Sequence, residues 1–168
     1  MARVTIDTKG LEDLQRGLLL IADNAEEICK RAIFDGAKEA ADTLKATTGA
    51  LRTVPDVVAI NNWRKGEQGY LSVKQKAGLL AGLGIARMKT EGKEINTKVG
   101  FSGYNAVKTK RWPNGQPNIM IAAVCNHGNS NTMVRQPFID AAAEMAGGDI
   151  ADAMRETLAA ELNKRLEG

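Results

Sequence analysis

Cys125 and His127 come closest, by type and spacing, to a reactive pair in this chain. His127 is the single histidine, and it stands two positions after the cysteine. On a β-strand this spacing would point both side chains to one face, as a nucleophile and its base or two metal ligands require. On a helix the same spacing turns them well apart. Because neither cysteine has a CxxC partner and no ligand cluster accompanies them, we expect neither zinc chemistry nor histidine-based nucleophilic catalysis.

Two other groups of residues have types that could form a chemical site. The carboxylates at Glu26–Glu27 and at Asp140–Glu144 fall on predicted helices, where they are typical of solvated charges rather than of a catalytic cleft. The run Gly78–Gly84 superficially resembles a phosphate-binding loop, but it lacks the following Lys-Ser or Lys-Thr and a surrounding βα unit. We therefore expect no enzymatic activity, no cofactor and no metal.

A basic loop with an aromatic residue offers the one candidate contact with nucleic acid. It contains Lys108, Lys110, Arg111 and Trp112. Such a tip can contact a nucleic-acid backbone, although basic tips are more often simply solvated. The net charge of +3, from 23 basic and 20 acidic residues, is too balanced for a dedicated nucleic-acid binder.

Length and composition favour one domain spanning residues 1–168. Hydrophobic residues make up 43% and charged residues 26%, as in ordinary globular proteins, whereas aromatics reach only 4%. Cys29 and Cys125 lie in apolar patterns, which favours two reduced core thiols over a disulfide. No run approaches the roughly 20 apolar residues of a membrane span, and the first residues lack a signal-peptide core. We therefore expect synthesis in a cytoplasm and no membrane partner.

Hydrophobic periodicity predicts the elements of the first half of the chain. The expected elements are an edge strand over 2–7, a short helix from 11 to 23 and a long amphipathic helix over 24–46. Asn24 would cap the long helix, whose smooth face of small residues favours internal packing, with a subunit contact as the alternative. Regularity then fades, and Pro55 argues against a central strand. We predict an irregular extended loop around 49–70, covered by another subunit.

The second half alternates short elements and ends in helices. The expected elements are a short helix or irregular turn over 71–82, a β-hairpin formed by runs near 83–88 and 95–101, a helix or strand over 119–126 that Gly128 stops, a helix over 137–146, and a last helix over 149–166 that begins after a break at Gly147–Gly148. The predicted fold class is α+β, with a long N-terminal amphipathic helix and C-terminal helices packed on a small antiparallel sheet.

Short motifs follow one another in a fixed order along residues 24–145. They are the long helix, the Gly-Leu stretch Ala77–Ile85, the Val-Gly-Phe-x-Gly-Tyr run at 99–104, the Pro-Asn start at 117–123, the Gly-x-Ser at 128–130 and the Pro-Phe-Ile at 137–139. In this ordered set the chain resembles the neck and tail-completion proteins of tailed bacteriophages. It departs from their pattern at Asn126 and His127, where they usually carry an acidic and an aromatic residue, and at Gly82, where Ser or Thr is common.

The resemblance implies an α+β protomer that assembles into a homo-oligomeric ring of roughly six or twelve subunits. The implied partners are head-closure or connector proteins on one side and tail-tube or tail-terminator proteins on the other. DNA would pass through the lumen without sequence specificity, near Lys108, Lys110 and Arg111. The implied location is the neck of the virion, with the host cytoplasm during assembly.

Ring contacts are heterologous, so each subunit needs two different complementary surfaces. We expect these surfaces in the loop 50–70 and in the region from 120 to 138. The candidate interface residues are Val57, Val58, Ile60, Trp63, Tyr104, Trp112, Met133, Arg135 and Phe138.

Overall fold

Two long helices frame the protein in a computed structural model that describes residues 9–92, 94–129 and 132–166, with 9–22 and 166 described through the backbone alone. The helices in this part of the chain are α1 (Lys9–Gly49), α2 (Asp56–Lys65), α3 (Val73–Gly82), α4 (Asn118–His127) and α5 (Phe138–Leu166). The strands are β1 (Thr53–Val54), β2 (Leu71–Ser72), β3 (Leu83–Ile85), β4 (Lys89–Glu91), β5 (Glu94–Asn96) and β6 (Val99–Phe101). The α+β class is confirmed, whereas the strand expected at 2–7 lies outside the described residues.

Helices α1 and α5 pack against each other through small residues. Gly36 of α1 is buried, and a Cβ atom there would lie 2.8 Å from the Cγ atom of Met154 and 3.2 Å from Ile150. A larger side chain at position 36 would therefore push α5 away. The face of small residues on α1 packs inside the subunit. This is the first of the two interpretations that the sequence allowed, the other being a subunit contact.

Both long helices continue through the positions where the sequence predicted breaks. The helices expected at 11–23 and 24–46 are one helix, because Asn24 costs a helix interior less than about 1 kcal/mol and no proline separates the two runs. The break expected at Gly147–Gly148 is likewise wrong. Each glycine costs about 1 kcal/mol relative to alanine, and packing of α5 against α1 on both sides of the pair outweighs that cost.

The segment around 49–70 is not the irregular loop that the sequence predicted, because its centre is the helix α2. Pro55 precedes the first helical residue, a position that tolerates proline because the first amides of a helix have no partner within it. Gly66 ends the helix in the left-handed conformation, and its amide donates to the carbonyls of Asn62 and Trp63. Strands β1 and β2 pair in parallel on either side of α2 in sequence.

The β-hairpin and the helix over 118–127 are confirmed. Strands β3 and β6 pair antiparallel with Gly84 opposite Gly100, and β4 and β5 continue the hairpin outward. The 73–82 segment is a helix, and Ser72 and Gln75 form a reciprocal capping box at its start. Gly128 ends α4, as predicted. The hydrophobic core gathers Leu44, Leu51, Leu71, Leu79, Ile121, Ala122, Cys125, Met133, Phe138 and Ala142.

A buried asparagine joins α3, β6 and α4. The side-chain amide of Asn118 donates to the carbonyl oxygens of Gly78, at 2.8 Å, and of Ser102, at 2.7 Å. Glycine is needed around it, because a Cβ atom on Gly82 would lie 2.2 Å from the Ser102 oxygen. Gly78 and Gly82 therefore serve a close packing junction, which we call the Asn118 junction.

The Asn118 junction predicts that alanine at one of two neighbouring glycines destabilises the fold and that alanine at the other does not. Gly82→Ala should lower the free energy of unfolding by about 1–3 kcal/mol, because its methyl group has no room. Gly84→Ala is the matched control, since nothing lies within 4 Å of a Cβ atom there, and it should change stability by less than about 0.5 kcal/mol. Denaturant unfolding measures both, and equal effects would contradict this account of the junction.

Candidate interaction surfaces

Helix α2 presents large apolar side chains to solvent and buries none of its residues. Val57, Val58, Ile60 and Trp63 are all exposed, and Val57 and Trp63 retain 68% and 63% of their accessible surface. A surface helix of a globular protein normally turns its apolar stripe toward the core. These four residues, named here the α2 surface, were all predicted as interface residues and lie together on one short helix.

Helix α2 is anchored at its first turn. The Asp56 carboxylate accepts a hydrogen bond from the Lys74 backbone amide at 3.2 Å and pairs with the Lys74 ammonium at 3.4 Å. That backbone hydrogen bond is the largest cause that lowers the pKa of Asp56, and burial partly opposes it. The paired strands β1 and β2 fix the chain before and after the helix. The α2 surface is therefore offered by a fixed element of the fold.

A second exposed apolar surface lies where α4 begins. Tyr104 and Ile119 retain 65% and 68% of their accessible surface. Tyr104 forms an antiparallel bridge with Pro117, and the Asn118 amide donates to the Gly103 carbonyl at 3.0 Å. These contacts keep Tyr104 close in space to the first turn of α4. Tyr104 was predicted from the sequence, whereas Ile119 was missed because its outward direction follows only once Asn118 and Ile121 are known to face inward.

Two predicted interface residues belong to the core instead. Met133 and Phe138 are buried, and the Phe138 ring packs against Phe101 at a centroid distance of 5.8 Å. Burial in the folded subunit contradicts their prediction as interface residues, because both side chains belong to the hydrophobic core. Arg135 is exposed and lies 3.8 Å from the Asp140 carboxylate.

The basic loop is exposed, and its aromatic residue is already in use. Lys108, Lys110 and Arg111 all face solvent, and neither lysine forms an ion pair within the described residues. The Arg111 guanidinium lies 5.5 Å from the centre of the half-buried Trp112 ring, a cation–π distance. Trp112 therefore packs against Arg111. The groups that this loop exposes to solvent are its three cations.

Helix α4 separates the cysteine and the histidine that could have formed a reactive pair. Cys125 is fully buried, whereas His127 is exposed. Burial raises the pKa of the Cys125 thiol to about 11, and the hydrogen bond from the Gln136 side chain opposes that rise. Since the thiolate is the nucleophilic form, this thiol is inert. The other cysteine, Cys29, is exposed, so its prediction as a core thiol is wrong, while both cysteines are free.

One groove on the described surface is lined by mutually paired charges. It is open, has a volume of about 390 Å³ and lies between α1 and α5 beside Met88 of the hairpin. Arg31 bridges Glu27, at 2.5 Å, and Glu161, at 2.8 Å. Hydrogen bonds from Arg165 and Arg31 lower the pKa of Glu161. The Arg31–Glu161 pair joins the two long helices at their surface, where an ion pair contributes little to stability.

Two further properties concern only the residues that the structure describes. No group of three or more His, Cys, Asp or Glu side chains is placed to hold a metal ion there. No helix in this part of the chain combines the length and apolarity needed to cross a bilayer.

Comparisons with models of protein families, with curated protein sequences and with solved structures gave no match.

The burial of Cys125 predicts a sharp difference between the two thiols. At about pH 8 a maleimide should modify Cys29 and leave Cys125 unmodified, because a pKa of about 11 keeps the latter protonated and burial blocks access. The raised pKa also contributes stability below the ordinary value of 9.0, which is lost as pH rises toward about 11. Peptide mass mapping reads the labelling. Cys29→Ser is the control and should show no label before unfolding, so rapid labelling of that folded variant would contradict the placement of Cys125.

Proposed function

We propose that this chain is a structural component of a tailed-bacteriophage neck, a tail-completion subunit that assembles into a ring between head connector and tail tube. The α2 surface carries the proposal, because several large apolar side chains exposed on one short helix are typical of a site of association. Covering Val57 and Trp63 with a partner would remove their apolar surface from water, which is the main driving force of most protein association.

The second support is that the described part of the chain carries exposed apolar surfaces of different composition. The α2 surface combines three aliphatic residues and a tryptophan, whereas the other surface offers Tyr104 and Ile119. A ring or a stack of rings needs unlike surfaces on each subunit, since a heterologous contact joins one patch to a different one. A symmetric dimer would need only one self-complementary patch.

The third support is the ordered set of motifs. The Val-Gly-Phe-x-Gly-Tyr run comprises β6 and the turn that leads to Tyr104, and the Pro-Asn start comprises the N-terminus of α4. The Gly-Leu stretch supplies Gly78 and Gly82 of the Asn118 junction. The motifs on which the resemblance rests therefore coincide with the turns and close contacts that position Tyr104 and Ile119.

The basic loop supports contact with DNA in the lumen of such a ring. Lys108, Lys110 and Arg111 form an exposed cluster of three cations. Contacts of this kind go to phosphates and carry no sequence information. The weak overall charge of +3 suits a conduit, because DNA must move past the ring and not remain bound to it.

Removing the apolar side chains of α2 should abolish assembly and leave the fold intact. Val57→Ser with Trp63→Ser should change the free energy of unfolding by less than about 0.5 kcal/mol, since α2 buries no residue. Asn61→Ser, on the same helix and also exposed, is the matched control. Electron microscopy of the chain mixed with neck and tail-tube proteins counts the joined rings. Normal joining by the double variant, or a parent chain that ignores every neck and tail protein, would refute the proposal.

Neutralising the basic loop should weaken DNA binding in a salt-dependent manner. Lys108→Gln, Lys110→Gln and Arg111→Gln together should reduce the slope of log affinity against log salt by about 0.9 for each phosphate contact removed. Lys89→Gln, at an exposed lysine of β4, is the control. Fluorescence anisotropy with a labelled duplex measures the slope. An unchanged slope, or no binding at low salt, would remove DNA contact from the account.

A further inference from the structure

Helix α2 also carries charged side chains, and these indicate the chemistry of the partner that would cover it. Arg64 and Lys65 stand exposed in its last turn, next to Trp63, and neither forms an ion pair within the described part of the chain. The acidic residue of its first turn, Asp56, is occupied by Lys74. Glu67, two residues after Lys65, is an exposed carboxylate close to both cations in the chain. The partner of α2 must therefore combine an apolar contact with an excess of carboxylates.

The outward face of α5 has these properties. Residues 138–156 contain five carboxylates against one guanidinium, a local net charge of −4. Asp149 and Asp152 lie on the same exposed side as Met145, one and two helical turns beyond it, and Asp152 also pairs with the exposed Arg155 at 2.6 Å. Met145 retains 65% of its accessible surface, and methionine adapts its shape to varied partners. An apolar side chain on an acidic helix face complements the apolar and basic α2.

The glycine pair of α5 has no packing role within the chain. Gly147 and Gly148 are exposed, and a Cβ atom on either would meet nothing within 4 Å. Glycine destabilises a helix interior relative to alanine, so the pair weakens α5 with no compensating contact inside the subunit. By contrast, Gly36 makes room for Met154. A bare helix backbone beside Met145 would let a bulky residue such as Trp63 approach closely.

We propose that the α2 surface of one copy packs across the Met145–Gly148 segment of α5 in a second copy. Trp63 and Val57 cover Met145 and the bare backbone, while Arg64 and Lys65 face Asp149 and Asp152. The contact is heterologous, because each copy gives α2 on one side and α5 on the other. This inference rests on the proposed function, since it identifies the surface through which neighbouring ring subunits meet.

The glycine pair gives a test in which stability and association change in opposite directions. Gly147→Ala with Gly148→Ala should raise the unfolding midpoint of the subunit, because alanine favours the helix. The same variant should weaken self-association about tenfold or more, because the methyl group at position 148, three residues after Met145 and on its side of the helix, fills the space that Trp63 would occupy. Ala159→Gly with Ala160→Gly, exposed further along α5, is the reverse control and should lower the midpoint without changing association. Sedimentation velocity over a concentration series measures association.

Charge exchange tests the pairing directly. Arg64→Glu with Lys65→Glu should weaken self-association, and so should Asp149→Lys with Asp152→Lys. A chain with all four changes should associate again, and more so at low salt, because opposite charges then face each other in the reverse order. Lys108→Glu with Lys110→Glu is the control and should leave self-association unchanged. If the quadruple variant associates as weakly as either double variant, the proposal is overturned.

The outcomes also separate this inference from the neck proposal. A chain that stays monomeric at every concentration, or whose association ignores both sets of variants, overturns the α2–α5 contact. Joined rings with neck and tail-tube proteins would in that case still support the neck proposal. Loss of connector binding by the α2 variants, with self-association retained, would assign α2 to a different virion protein and overturn the contact. Self-association that follows the predicted pattern without binding to any neck protein would support the contact and refute the neck proposal.

Discussion

The side-chain amide of Asn118 is the interaction on which the arrangement of the smaller elements depends. It donates to carbonyl oxygens in the middle of α3 and just after β6 while its own backbone starts α4. Most buried polar groups are hydrogen-bonded, and an amide nitrogen that donates to two carbonyls at once fixes three elements at a single point. Glycines at 78 and 82 let these backbones approach closely enough for the bonds to form.

The same junction sets where the two apolar surfaces lie. Helix α3 starts directly after β2 and holds α2 through Lys74 and Asp56, so the position of α3 fixes the base of the α2 surface. On the other side, the turn after β6 leads to Tyr104, and the start of α4 carries Ile119. A compact polar contact in the interior thus determines the spacing of two outward apolar surfaces. A subunit that works by fitting against neighbours needs such fixed spacing.

The sequence predicted what periodicity and turn chemistry can encode, and missed what tertiary packing decides. The α+β class, the hairpin and the helix ended by Gly128 followed from local patterns. The pair Gly147–Gly148 was misread as a break because packing on both sides of it cannot be seen locally. Helix α2 was missed because Pro55 was weighed as a strand breaker and not as a helix start. The residues of the α2 surface were nevertheless predicted as an interface, because an apolar segment of this length is a poor solvent-facing one, and that interface stays a prediction.

Hydrogen exchange of the α2 amides, compared between the free subunit and the assembled neck, tests most directly whether the chain acts through its outward apolar surfaces. The account predicts that residues 56–65 exchange several-fold more slowly after assembly, because a helix with no buried residue gains its first cover there. The buried face of α1 around residue 36 should exchange equally in both states, since it is already packed against α5. Unchanged exchange over 56–65 in an assembled particle would contradict the account.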